Sequence, residues 1–179
     1  MLTLRAIASA DIWRIVTFPV FGLTMVLLYT ASTVYHGETN IQTKARLKKF
    51  DHIAIYFLIA GSYTPVTLVA LRGSWGWAAF GVVWGLAFAG TAFKLLFIGR
   101  FPVVSTIIYL GMGWIAVVAV VPLIRNLGVP SLLWLLGGGL FYTGGVVFYA
   151  WRRLPFHHTI WHLCVLGGTA CHFVAVLGL

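Results

Sequence analysis

The sequence predicts an all-α fold, a polytopic bundle of transmembrane helices. Three observations carry that prediction. Of 179 residues, 61% are hydrophobic and 8% are charged, and the mean hydropathy is +0.99. Soluble domains of this size are not built that way. The apolar residues fall in runs of about 20, long enough as helices to cross roughly 30 Å of hydrocarbon. Most of the charged residues fall in the gaps between those runs.

Taken in order, residues 1–11 form a short tail carrying Arg5 and Asp11. Span one covers residues 12–35, with Pro19 near its start expected to kink it. It closes on Ser32-Thr33-Val34-Tyr35-His36. A polar loop over residues 37–50 follows, holding Lys44, Arg46, Lys48 and Lys49. Span two covers residues 53–71, is preceded by Asp51-His52, and is interrupted by Gly61-Ser62-Tyr63-Thr64-Pro65. Spans three, four and five cover residues 75–98, 103–124 and 132–150. Trp151 to Phe156 then turns the chain into span six, which begins at the histidines 157, 158 and 162 and runs on to Leu179. Six spans form a single domain over residues 1–179, with no repeat or linker. The 20 glycines suit close helix approach in lipid. Trp75, Trp77, Trp134 and Trp151 fall near span ends, as interfacial residues do. The first apolar run contains Arg14 and Pro19 and has no small-x-small site, so it is not read as a cleavable leader. Cys164 and Cys171 form neither a disulfide framework nor a Cys-x-x-Cys pattern and are read as packing residues.

Twelve Lys and Arg against three Asp and Glu leave a formal charge of +9. In a membrane chain this excess reads as loop charge facing an anionic leaflet, not as a nucleic-acid surface. The loops after spans one, three and five hold Lys44, Arg46, Lys48, Lys49, Arg100, Arg152 and Arg153, against Arg5, Arg72 and Arg125 opposite. Seven to three puts the first set in the cytoplasm of an inner (plasma) membrane protein, with both chain ends outside.

Alternation of spans has a chemical consequence. His36 closes span one, Asp51 opens span two, and His158 and His162 open span six, so all four are expected on one side at similar depth. His158 and His162, four apart, share a helix face, a geometry used by helical zinc sites. Ser32 sits one turn deeper than His36 on the same face. Three imidazoles are a sufficient ligand set for catalytic zinc, with one position left for water, and a nearby carboxylate can orient that water and take its proton. Each residue also has a plainer reading: interfacial hydrogen bonds for the histidines, and a helix cap or an ion pair with Lys48 or Lys49 for Asp51. His172, ten residues past His162, is too far along the helix to share a metal and is expected to bond to a neighbouring span. His157 and His52 are read as structural. Lys94 and Arg14 are expected to reach the cytoplasmic and outer surfaces respectively.

Ser32-x-x-x-His36, Asp51 after a basic stretch, Gly61-Ser62-Tyr63-x-Pro65, and His158-x-x-x-His162 followed by His172-Phe173 resemble the haemolysin III family. That family belongs with the progestin and adipoQ receptors, which include the adiponectin receptors. The resemblance covers nearly the whole chain. It implies zinc held by His36, His158 and His162, Asp51 hydrogen-bonded to the zinc-bound water, and Ser32 as a nearby motif residue. The wider superfamily includes ceramide hydrolases, which implies zinc-assisted hydrolysis of a lipid amide or ester. The resemblance also implies seven spans where six are counted, the missing one being the first. Two other functions stay open: a pore-forming or cytolytic protein, and a sensor or regulator with structural zinc. Membrane lipid is the expected partner and substrate source. The sequence does not define an oligomeric state.

Overall fold

The computed structural model describes residues 1–97 and 102–179, all helix and connection. Arg100 and the expected end of span three at Ile98 lie outside them. The chain forms two compact units, Met1–Ile115 and Ala116–Leu179. The described residues hold five helices long and apolar enough to cross a membrane, and a sixth crossing if one interrupted pair counts as a span.

The first unit begins with a short helix, α1 (Leu2–Ala8), where the sequence suggested only a tail. Leu2 and Ala6 are buried, and the Ser9 hydroxyl closes the helix by donating to the Ala6 carbonyl at 2.7 Å. Asp11 caps the next helix, α2 (Ile12–Gly37), accepting from the Trp13 amide at 3.0 Å. This helix runs on through Pro19.

After α2 only Glu38, Thr39 and Asn40 form a loop, because α3 starts at Ile41 and runs to Pro65. The expected polar loop of residues 37–50 is therefore mostly helix. Its side chains explain why. Asn40 accepts from the amides of Gln42 and Thr43 at 3.0 and 3.1 Å. Gln42, Lys44, Ala45, Arg46, Leu47, Lys48 and Lys49 are all good helix formers. Past Pro65 the same rod continues as a π-helical turn, Val66–Ala70. Proline has no N–H to give to the carbonyl four residues back, and wide turns and hydroxyls are how membrane helices absorb that loss. Around this turn Thr64 donates to the Ala60 carbonyl at 2.9 Å and Thr67 to the Tyr63 carbonyl at 2.9 Å, the carbonyls on either side of the Gly61 carbonyl that Pro65 leaves without its amide.

Helix α3 is the core of its unit. Two-thirds of its apolar window is buried (67%), against 17% for α4 (Ser74–Leu96). It meets α2 where Gly61 faces Thr24: a Cβ on Gly61 would lie 2.0 Å from Thr24 Oγ1. Gly90 of α4 makes similar room for the Tyr56 ring. Tyr63 donates its hydroxyl to the Gly113 carbonyl at 2.7 Å, which ties α3 to α5 (Pro102–Gly113). At one end of the unit the Arg72 guanidinium pairs with the Asp11 carboxylate, which joins the start of α2 to the end of the π turn.

The expected fourth span is not one helix. It is α5, a 3-10 turn at Ile115–Val117, and α6 (Val120–Asn126). Pro122 gives the reason. It fits the first turn of α6, where an N–H has no helical partner, but inside one continuous helix it would clash one turn back.

The second unit is built on the antiparallel pair α7 (Val129–Ala150) and α8 (His157–Leu177). Gly138 lies against the His172 ring, Gly145 against Trp161 and Cys164, and Gly168 against Tyr142. With no side chain on one partner at each crossing, the two backbones approach closely. Tyr142 and Thr169 share a hydroxyl hydrogen bond of 2.9 Å. Leu133, Leu136, Leu140, Leu163 and Leu166 are exposed. Outward-facing leucine is what a lipid-solvated bundle presents.

Candidate metal centre

The second unit holds a histidine pair. Phe156 at φ 59° turns the chain sharply into α8, so His158 and His162 occupy its first two turns. One turn apart on one face, their rings lie nearly perpendicular, 86° between planes with centroids 4.6 Å apart. Their Nε2 atoms are 3.1 Å from each other. Two nitrogens bound to one tetrahedral zinc at about 2.05 Å would be roughly 3.3 Å apart. The pair therefore already has the bite of a chelate, and its donor set suits a borderline cation such as zinc. Tyr149 of α7 flanks the pair, with ring centroids 6.4 Å from His158 and 5.5 Å from Trp161.

Ser32, His36 and Asp51 lie in the first unit. His36 stands in the last turn of α2, exposed, with its ring edge-on to Tyr35 at 4.6 Å. Asp51 is buried in α3, ten residues past its start. The Gly61–Thr24 contact sets the register of this antiparallel pair. Counting ten residues back along α3 from Gly61 reaches Asp51, and ten forward along α2 from Thr24 reaches Val34. Asp51 thus lies level with the segment between Ser32 and His36. The first turns of α3, with Lys44 and Arg46, project past the end of α2. Asp51 is not a helix cap, since Asn40 holds that position. Its Oδ2 lies 3.8 Å from His52 Nδ1.

Two of the remaining histidines, His52 and His172, bond to backbone carbonyls. His52 Nδ1 donates to the Lys48 carbonyl at 2.7 Å, within its own helix. His172 Nε2 donates to the Leu135 carbonyl of α7 at 3.3 Å, the inter-span bond expected of it. His157 has a buried Nδ1 without a hydrogen-bond partner. Lys94, expected to reach toward water, instead turns across to α5 and donates to Ser105 Oγ at 3.0 Å.

The haemolysin-III-related family model matches residues 1–173 of this chain. The chain belongs to the haemolysin III family. Two bacterial relatives agree closely. The hemolysin-3 homolog of Bacillus subtilis (strain 168) is 47% identical over 92% of this chain and 78% of its own length. Hemolysin-3 of Bacillus cereus is 45% identical over 99% of this chain and 81% of its own. The human monocyte to macrophage differentiation factor is 31% identical over 94% of the chain and 72% of its own length. No solved structure matches. Membership in the family, together with the long apolar helices, makes this an integral membrane protein.

Sequence reasoning missed Tyr149 beside the pair, and Ser105, Tyr109 and Tyr56 around Lys94. The signal for the second group was present as fours: Lys48-His52-Tyr56 and Ser105-Tyr109.

Proposed function

We propose that this haemolysin III protein is a membrane zinc hydrolase that cleaves a lipid amide or ester at its cytoplasmic end. The observation that carries the reading is the His158–His162 pair, whose Nε2 atoms stand 3.1 Å apart with crossed rings. His36 is the third ligand of the proposed centre. Zinc held there supplies a Lewis acid for a substrate carbonyl and a water acidified toward neutral pH. Asp51 is the base: its carboxylate takes a proton from the attacking water and returns one to the departing nitrogen or oxygen. The Ser32 hydroxyl, one turn below His36, orients a polar group of the substrate. The apolar, outward-facing helices suit a substrate that arrives from the bilayer. The seven-to-three bias of Lys and Arg supports the cytoplasmic placement.

The name of the Bacillus cereus relative favours a second reading, membrane lysis. A pore needs a polar stripe through the bundle. Residues 75–97 and 103–150 carry only Lys94 and Arg125 as charged side chains, which weighs against it.

The test is metal analysis of purified protein with lipid-amide turnover. Wild type is expected to hold about one zinc per chain, and His158→Ala or His162→Ala to lose it. Asp51→Asn is expected to keep zinc and lose about 100-fold or more in turnover. Metal-free wild type would end the zinc reading. Full zinc with no turnover of any lipid amide or ester, and unfolding on chelation, would make the metal structural.

A further inference from the structure

A second polar cluster lies wholly within the first unit, and the proposed metal centre does not use it. Lys48, His52 and Tyr56 follow one face of α3 at intervals of four. Gly90 and Lys94 do the same on α4, and Ser105 and Tyr109 on α5. The three faces meet. The Tyr56 ring fills the space that Gly90 leaves open and lies 4.5 Å from the Tyr109 ring. Tyr109 donates to the His52 carbonyl at 2.9 Å, and Lys94 donates to Ser105 at 3.0 Å.

The cluster has more donors than acceptors and more positive than negative charge. An ammonium has three N–H donors and no acceptor, and Lys94 gives one of them to a neutral hydroxyl, that of Ser105. The groups whose charge acts on it or answers to it are the Lys48 ammonium and the His52 imidazole. Among the described residues no carboxylate pairs with Lys94; the ion pairs fall at Asp11 and at Asp51 with His52. The Tyr56 side chain is fully buried, with its hydroxyl beside those of Ser105 and Tyr109. Intramembrane cations without a counter-ion are expensive, and those that persist have a partner. The partner this cluster lacks is an anion that only accepts hydrogen bonds.

We infer that the junction of α3, α4 and α5 binds a phosphate group, with the Lys94 ammonium as its charged anchor and Lys48 as a second cation. Lys94 lies in the last turn of α4, at the same end of the unit as the basic first turns of α3. A phospholipid headgroup and free phosphate present the same chemistry there. Neither source depends on zinc.

The test is a thermal-unfolding titration of the full chain in dodecyl maltoside, which carries no phosphate. The probes are dioleoyl phosphatidic acid, dioleoylglycerol with the same acyl chains, and inorganic phosphate. Phosphatidic acid is expected to raise the unfolding midpoint of wild type and dioleoylglycerol to leave it unchanged. Lys94→Met is expected to weaken phosphatidic acid binding at least about fivefold, the value of one lysine near an anionic lipid. Lys94→Arg is expected to retain the binding. Lys94→Met replaces an ammonium that has no carboxylate partner among the described residues with an apolar chain of similar length, so it is expected to fold, as a cooperative unfolding transition without added lipid would report. A rise with inorganic phosphate as well assigns the site to free phosphate; a rise with the lipid alone assigns it to the headgroup. Equal responses to phosphatidic acid and dioleoylglycerol, or a Lys94→Met titration that overlays wild type, would overturn the inference. Loss of zinc from wild type would leave this titration unchanged, which keeps the two readings separable.

Discussion

At the scale of single residues, the informative side chains are polar groups held where lipid offers them nothing. His172 solves this within its own unit by donating to the Leu135 carbonyl. Asp11 solves it at the surface. Burial alone pushes its carboxyl up, but the Trp13 amide and the Arg72 guanidinium outweigh that and hold it below the ordinary carboxylate range. The sign follows from linkage. A carboxyl that ionises more readily folded than unfolded stabilises the fold above its ordinary value of about 3.9, and that contribution fades as pH falls through the lowered folded value. The melting temperature of wild type should therefore exceed that of Asp11→Asn at pH 7, and the gap should shrink as the pH is lowered below about 4. A gap that widened in acid would show that the Arg72 pairing does not hold the carboxyl. The pair was not legible in the sequence, because 61 residues separate its members and only folding brings them together.

At the scale of elements, the helices are set by contacts between small and large groups. The α2–α3 crossing is the sharpest case. Gly61→Ala would place its Cβ 2.0 Å from Thr24 Oγ1 and 2.8 Å from Thr24 Cβ, so the helices must part. A cost of about 1–3 kcal/mol is expected, read as a lower unfolding midpoint in detergent. Removing the opposing side chain should recover part of it, so Gly61→Ala with Thr24→Gly should be more stable than the sum of the two single changes. Strict additivity would mean that the two positions do not touch. The start of α3 shows what pattern reading overlooked. Lys44, Arg46, Lys48 and Lys49 look like loop charge when hydropathy alone is followed, yet Asn40 is a cap and the residues after it favour helix.

At the scale of the whole molecule, long apolar helices joined by short links make the ends alternate. From Arg46 to Ala70 the rod of α3 and its π turn rises about 36 Å, more than the roughly 30 Å of a bilayer core. Single cysteines at Arg46 and Ser74, in a background with Cys164 and Cys171 changed to alanine, should therefore react from opposite sides of the membrane. An impermeant maleimide added to intact cells should label Ser74→Cys and spare Arg46→Cys. Labelling of both from outside would remove the basis for a cytoplasmic metal centre.

By itself the sequence determined the solvent, the helical class, the membership in the haemolysin III family and the His158–His162 pair. Each of these rests on composition or on spacings within one helix, and local spacing survives any tertiary arrangement. Tertiary structure alone decided that Lys94 turns to Ser105 instead of reaching toward water, and that Arg72 meets Asp11 across 61 residues. Those outcomes depend on which helix faces meet, and a glycine such as Gly61 or Gly90 gains its meaning only when a neighbouring side chain comes to occupy the space it leaves.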